Sequence, residues 1–100
     1  MNRYFYRSNG IYVGFINGNY IFSRDGQYLG WIEGDFVWGI DGQFRGKLYL
    51  IGEHYYILKY IYNIPPIPKA PIGVPSTPAL PAPTSNIASI SLKLGFVDAF

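Results

Sequence analysis

The chain has 100 residues, no cysteine, a single histidine and a formal net charge of +2. Disulfides are excluded, His54 alone cannot assemble a structural zinc site, and so small a charge does not point to nucleic acid or anionic lipid as a partner. Aromatic residues make up 19 % of the chain, well above ordinary usage, and are its strongest compositional signal.

Composition divides the chain. Ten of the twelve glycines precede His54, and all eight prolines lie between Pro65 and Pro83. This predicts a hairpin-rich domain over 1–64, a Pro-rich linker over 65–86 and an apolar C-terminal peptide over 87–100. A head of that size buries only about 60 % of its unfolded surface. It therefore needs reinforcement, which a cysteine-free chain must take from its own tail or from a partner.

The head is periodic. Tyr4–Asn19 (YFYRSNGIYVGFINGN) is followed by Tyr20–Asp35 (YIFSRDGQYLGWIEGD), and Phe36–Leu48 (FVWGIDGQFRGKL) starts a third copy. Tyr49-Leu50-Ile51 are extra to the template, and Gly52-Glu53-His54 then takes the place of Asn17-Gly18-Asn19. Tyr55–Ile64 opens a fourth copy without a turn dipeptide and reads as one closing strand. Asn9-Gly10, Asp25-Gly26 and Asp41-Gly42 sit between apolar runs, a strong hairpin signal. A two-residue type I′ turn there needs positive φ twice, which Asn or Asp and Gly tolerate. Asn17-Gly18 and Glu33-Gly34 turn the chain at the other end. The expectation is an up-and-down chain of about seven short strands, all-β, with no helix.

A two-residue turn at Asp25-Gly26 pairs Ser23 with Tyr28, Ile21 with Gly30 and Tyr20 with Trp31. One face then carries Phe5, Tyr12, Gly14, Ile16 and their equivalents Ile21, Tyr28, Gly30, Ile32 and Val37, Phe44, Gly46, Leu48. This is the expected core face. The other carries Tyr4, Tyr6, Val13, Phe15, then Tyr20, Phe22, Leu29, Trp31, then Phe36, Trp38, Arg45, Lys47, with its aromatic residues either as further core or as a surface able to stack a glycan, a base or a proline ring, or to meet lipid headgroups. With both faces apolar, a single open sheet cannot satisfy itself in water. The sheet must close, stack on another sheet or bury one face against a partner.

Proline every two to four residues blocks helix and ladder, so the 22 residues of 65–86 could reach roughly 70 Å as polyproline II. Beyond them Ile90, Leu92, Leu94 and Phe96 alternate with polar residues or glycine, and with Phe100 form a candidate docking peptide. It either adds a strand to a sheet edge of another molecule or folds back on its own head.

Chemistry for catalysis is not visible. Five of the six acids, Asp25, Asp41, Glu33, Asp35 and Glu53, fall in turns where conformation explains them, and His54 occupies a turn slot. No catalytic, cofactor or metal-binding residue is assigned. There is no secretory signal pattern and no apolar run of 18 residues, so the expectation is a cytoplasmic protein, with a membrane surface still open as a partner.

The template of aromatic strand, D-G-Q or N-G turn, Y/F-x-G-W/F-I and E-G-D turn resembles the four-fold β-flower family of small bacterial proteins, as does the plan of a Pro-rich tail ending in Gly95-Phe96-Val97-Asp98-Ala99-Phe100. The resemblance implies a shallow, pseudo-four-fold ring of hairpins with aromatic residues packed toward its centre, and no activity. The inserted Tyr49-Leu50-Ile51 and the turnless fourth copy depart from strict four-fold repetition. The functional expectation is a non-enzymatic interaction module that self-assembles through its C-terminal arm. The alternative is an aromatic module binding a lipid surface or a glycan.

Overall fold

The computed structural model describes residues 2–100. Seven strands follow one another as an antiparallel meander: β1 (Asn2–Tyr6), β2 (Tyr12–Asn17), β3 (Tyr20–Ser23), β4 (Tyr28–Glu33), β5 (Phe36–Gly39), β6 (Phe44–Ile51) and β7 (His54–Tyr60). Seven is odd, so the first and last strands run the same way and the ring must close in parallel. It does so through Phe5↔Tyr55 and Tyr6↔Tyr56. An eighth strand, β8 (Phe96–Asp98), pairs antiparallel with the remainder of the same β7 edge, Leu58↔Asp98 to Tyr60↔Phe96. The fourth hairpin, which lacks a turn in the sequence, thus receives its second strand from the C-terminus. The result is a disc of about 35 × 35 × 18 Å.

Closure buries the first face. Phe5, Ile16, Ile21, Ile32, Val37 and Ile57 meet in one cluster drawn from six strands. Burying each such side chain stabilises the fold by about 1.5–3 kcal/mol. Glycine makes the closure tight: a Cβ on Gly30 would stand 1.9 Å from the Trp38 carbonyl oxygen, and one on Gly14 2.0 Å from that of Phe22.

The turns differ from the expected type I′. Among the described residues positive φ occurs only at glycines, with Gly10, Gly26 and Gly42 at 88°, 88° and 82°, while Asn9, Asp25 and Asp41 keep negative φ. At the second turn Gly26 N–H donates to Ser23 O (2.9 Å) and Ser23 N–H to Gln27 O (2.8 Å). This is a three-residue loop with a left-handed glycine at its end. The ladder beyond it is bulged, so Tyr28 pairs with Phe22 instead of Ser23, while Ile21↔Gly30 and Tyr20↔Trp31 stand as expected. One extra residue moves a side chain to the opposite face. Tyr12 therefore joins Tyr6, Tyr56 and Leu58 in a second cluster, and Val13 and Leu29 pack with the first.

Residues 65–92 carry no strand or helix and run along the outer side of the ring, touching its turns in reverse order. Lys69 N–H donates to Gly42 O (2.9 Å) and Ile87 N–H to Gly10 O (2.9 Å). Between them Thr77 and Leu80 lie against Gly26. Pro78 stands midway, nine residues from Lys69 and nine from Ile87. Having no N–H, it cannot repeat the bond its register would place at Gly26. Nine residues of polyproline II cover about 28 Å, enough to step from one hairpin to the next. The second apolar face is met by this belt.

Candidate functional site

The aromatic residues of the second face do not form one open platform. Tyr6, Phe15, Phe22, Trp31 and Trp38 are buried, Tyr4 and Phe36 are half-buried, and only Tyr20 is exposed. Phe15 and Phe22 stack at 5.4 Å. The Trp31 indole N–H donates to Glu33 Oε1 (3.0 Å), and the Lys69 ammonium sits 5.1 Å above the Trp38 ring. The Tyr4 hydroxyl donates to Ala82 O (2.6 Å), and the Tyr6 and Thr84 hydroxyls hydrogen-bond to each other (3.2 Å). Both contacts tie the head to the belt.

The turn residues have conformational partners. Asn9 Oδ1 accepts from Ile11 N–H (3.2 Å) and Asp41 Oδ1 from Gln43 N–H (3.0 Å). Gly10, Gly26 and Gly42 are buried beneath the belt. His54 opens β7 with its ring 5.3 Å from that of Tyr6. Among the described residues, no three His, Cys, Asp or Glu side chains gather as a metal site would require. No helix among them is long and apolar enough to cross a membrane. Burial pushes the Tyr12 and Tyr56 phenols above their ordinary value, so both stay neutral at physiological pH.

The docking peptide lies on its own head. Ile90, Leu92 and Phe96 pack on the cluster of Tyr6, Tyr12, Tyr56 and Leu58. Phe100 meets Phe5 edge-on at 6.1 Å, under the Arg45 guanidinium at 4.3 Å. Arg45 donates to Ala99 O (2.6 Å), and Arg7 donates to Phe100 O. Leu94 is left outside, 87 % exposed, because a turn with φ of 92° at Gly95 separates it from β8.

The arm leaves a cleft at its outer flank, where four-fold repetition fails. The three inserted residues all join β6, at eight residues the longest of the described strands, and pair with the start of β7 (Tyr49↔Tyr56 to Ile51↔His54). A cleft of about 460 Å³ opens between this ribbon and the arm, walled by Phe44, Tyr49, Tyr60 and Phe96. Lys47, Lys59 and Lys93 line it, and no acidic side chain does. Lys47 Nζ lies 5.2 Å above the Phe36 ring. Among the described residues, none of the three has a carboxylate within salt-bridge distance. A second cleft of about 370 Å³ adjoins it across Phe96 and Lys93. Such volumes suit a small ligand or a peptide side chain. Sequence reasoning missed this site because its parts come from β6, β7 and the arm. The insertion and the missing turn were the only signals, and they mark the seam.

A family model described as 4-fold beta flower protein matches residues 1–94, head and belt alike. No curated protein and no solved structure matches the chain.

Proposed function

The chain belongs to the 4-fold beta flower protein family, a name that states a shape and no activity, and from that shape we propose a non-enzymatic interaction module that binds an anionic partner at the seam. The supporting observation is the cleft between the β6–β7 ribbon and the arm, with three lysines, four aromatic walls and no acid. A low-dielectric cleft with charge of one sign concentrates counter-ions. Aromatic walls beside it favour a ligand with an apolar or planar part.

The test uses 8-anilinonaphthalene-1-sulfonate, an anionic aromatic probe, titrated into the full chain and followed by amide chemical shifts. The expected perturbations fall at Lys47, Lys59–Tyr60 and Lys93–Phe96. Lys47→Gln with Lys93→Gln should weaken the probe at least several-fold and leave the melting temperature in place. Shifts confined to the outer aromatic side near Tyr20, or none at all, overturn the reading.

A second reading is self-assembly through the arm. Its support is that β8 and Phe100 are complete docking elements reached through residues 65–92, which carry no strand. The same seat would accept the arm of another copy by exchange. Light scattering on the full chain decides it, since a monomer at every concentration ends this reading.

A further inference from the structure

One lip of the seam cleft is apolar and unusually bare. After β7 the chain leaves through Ile61, Tyr62, Ile64 and Ile67, which are 51 %, 64 %, 95 % and 87 % exposed. Asn63 and Pro65 of this stretch line the cleft itself. Leu94 joins them: Ile61 N–H donates to Gly95 O (2.8 Å), and Gly95 abuts the Tyr62 ring. Isolated exposed apolar side chains are ordinary on a protein surface. Five carried by the Ile61–Ile67 stretch and the Leu94 turn bonded to it, beside a cleft lined by three lysines and no acid, are not.

We infer that this lip, Ile61, Tyr62, Ile64, Ile67 and Leu94 with Lys59 and Lys93 behind it, docks on the surface of an anionic lipid bilayer. The inference rests on the seam being the interaction surface and names its partner. The surface that offers negative charge over a broad area and apolar depth just beneath it is a bilayer leaflet with anionic headgroups. Lysines behind an apolar front, with a tyrosine at the boundary, suit that gradient. A second copy fits less well. Glu33 is held by Lys69 and Asp98 by Ser8. The remaining acids, Asp25, Asp35, Asp41 and Glu53, lie on four separate turns. No acidic face is left to meet the lysines. The net charge of the whole chain hides this clustering.

The experiment is flotation of the full chain with vesicles of phosphatidylcholine alone and of phosphatidylcholine mixed with phosphatidylglycerol. Binding is expected only to the mixed vesicles and should fall as salt rises. Ile64→Ser with Ile67→Ser, both exposed and so harmless to folding, should weaken it at least ten-fold. Lys59→Gln and Lys93→Gln should each cost about five-fold. Circular dichroism confirms that the variants fold. No flotation with mixed vesicles, or flotation indifferent to both sets of substitutions, overturns the inference. So does a dimer by light scattering that Ile64→Ser with Ile67→Ser abolishes, which would assign the lip to a second copy. If vesicles fail while the sulfonate probe still binds at Lys47 and Lys93, the seam stands and only its lipid partner falls. If both fail, the seam is not a binding surface.

Discussion

Asp98 accepts two hydrogen bonds from Ser8, one from its backbone N–H and one from its hydroxyl, each 2.7 Å long. The pair joins the last strand to the turn that follows the first, ninety positions apart. Arg7 stands 4.0 Å from the same carboxylate with its side chain 43 % exposed, so it adds little. Asp98→Ala leaves a half-buried N–H and hydroxyl without their acceptor and should cost roughly 2–3 kcal/mol in urea unfolding. Ser8→Ala keeps the N–H bond and should cost about 1 kcal/mol. An Asp98→Ala chain as stable as the parent would mean that the arm is not seated this way in solution.

The belt should be separable from the ring by single methyl groups. A Cβ on Gly10 or Gly42 would lie 1.9 Å from Ile87 O or 1.8 Å from Lys69 O, both backbone atoms. At Gly26 the first obstacle is the Leu80 side chain at 2.9 Å, which can rotate away. All three Ala variants carry the left-handed strain of about 1–2 kcal/mol. Gly10→Ala and Gly42→Ala should in addition lift the belt, exposing residues 65–92 to protease and speeding exchange of the Ile87 and Lys69 amides. Equal protease sensitivity in all three variants would refute the backbone contacts.

Strand order and the meander were legible because Asn-Gly and Asp-Gly recur at a fixed period, and a hairpin is a local object. The apolar set Phe5, Ile16, Ile21, Ile32 and Val37 was legible too, since period two survives wherever the ladder is regular. Tyr12, Tyr28 and Phe44 were assigned to the wrong face because two-residue and three-residue loops share the same dipeptide. Only the φ of the residue before glycine tells them apart. The place of β8 could not be read, because pairing Leu58 with Asp98 depends on the belt's path around the disc. The lysine cleft followed that fate. Lys47, Lys59 and Lys93 have no common spacing, and only closure of the fourth hairpin by the C-terminus brings them together.

Two tyrosines test whether the outer aromatic residues pack or bind. The Tyr28 hydroxyl is buried without a hydrogen-bond partner among the described residues, whereas that of Tyr4 donates to Ala82 O at 2.6 Å. An unpaired buried hydroxyl costs free energy that phenylalanine does not. Tyr28→Phe should therefore leave stability unchanged or raise it by up to about 1 kcal/mol, and Tyr4→Phe should lower it by about 0.5–1.5 kcal/mol. The check is the urea midpoint of each. A Tyr28→Phe chain destabilised by more than Tyr4→Phe would show that the hydroxyl has a partner in solution.

Acid should loosen the belt at the third hairpin. The Lys69 ammonium, and after it the Trp31 indole, donate to Glu33 and hold its carboxyl below the ordinary value of 4.5. A carboxyl whose folded value is depressed contributes stability that is fully present above its unfolded value. That contribution is lost as pH falls through the folded one. Glu33 is solvated, so the effect is modest and salt-sensitive. The stability difference between parent and Lys69→Gln should therefore be largest near neutral pH and should shrink as acid protonates Glu33. In a carbon-13 titration of the side-chain carboxyl, Glu33 should titrate higher in Lys69→Gln than in the parent, with the Trp31 bond keeping part of the depression. If Glu33 titrates alike in both chains, Lys69 does not rest on this carboxylate in solution. The belt would then be held at the third hairpin by the Lys69 amide on Gly42 and by the Lys69 contact with the Trp38 ring.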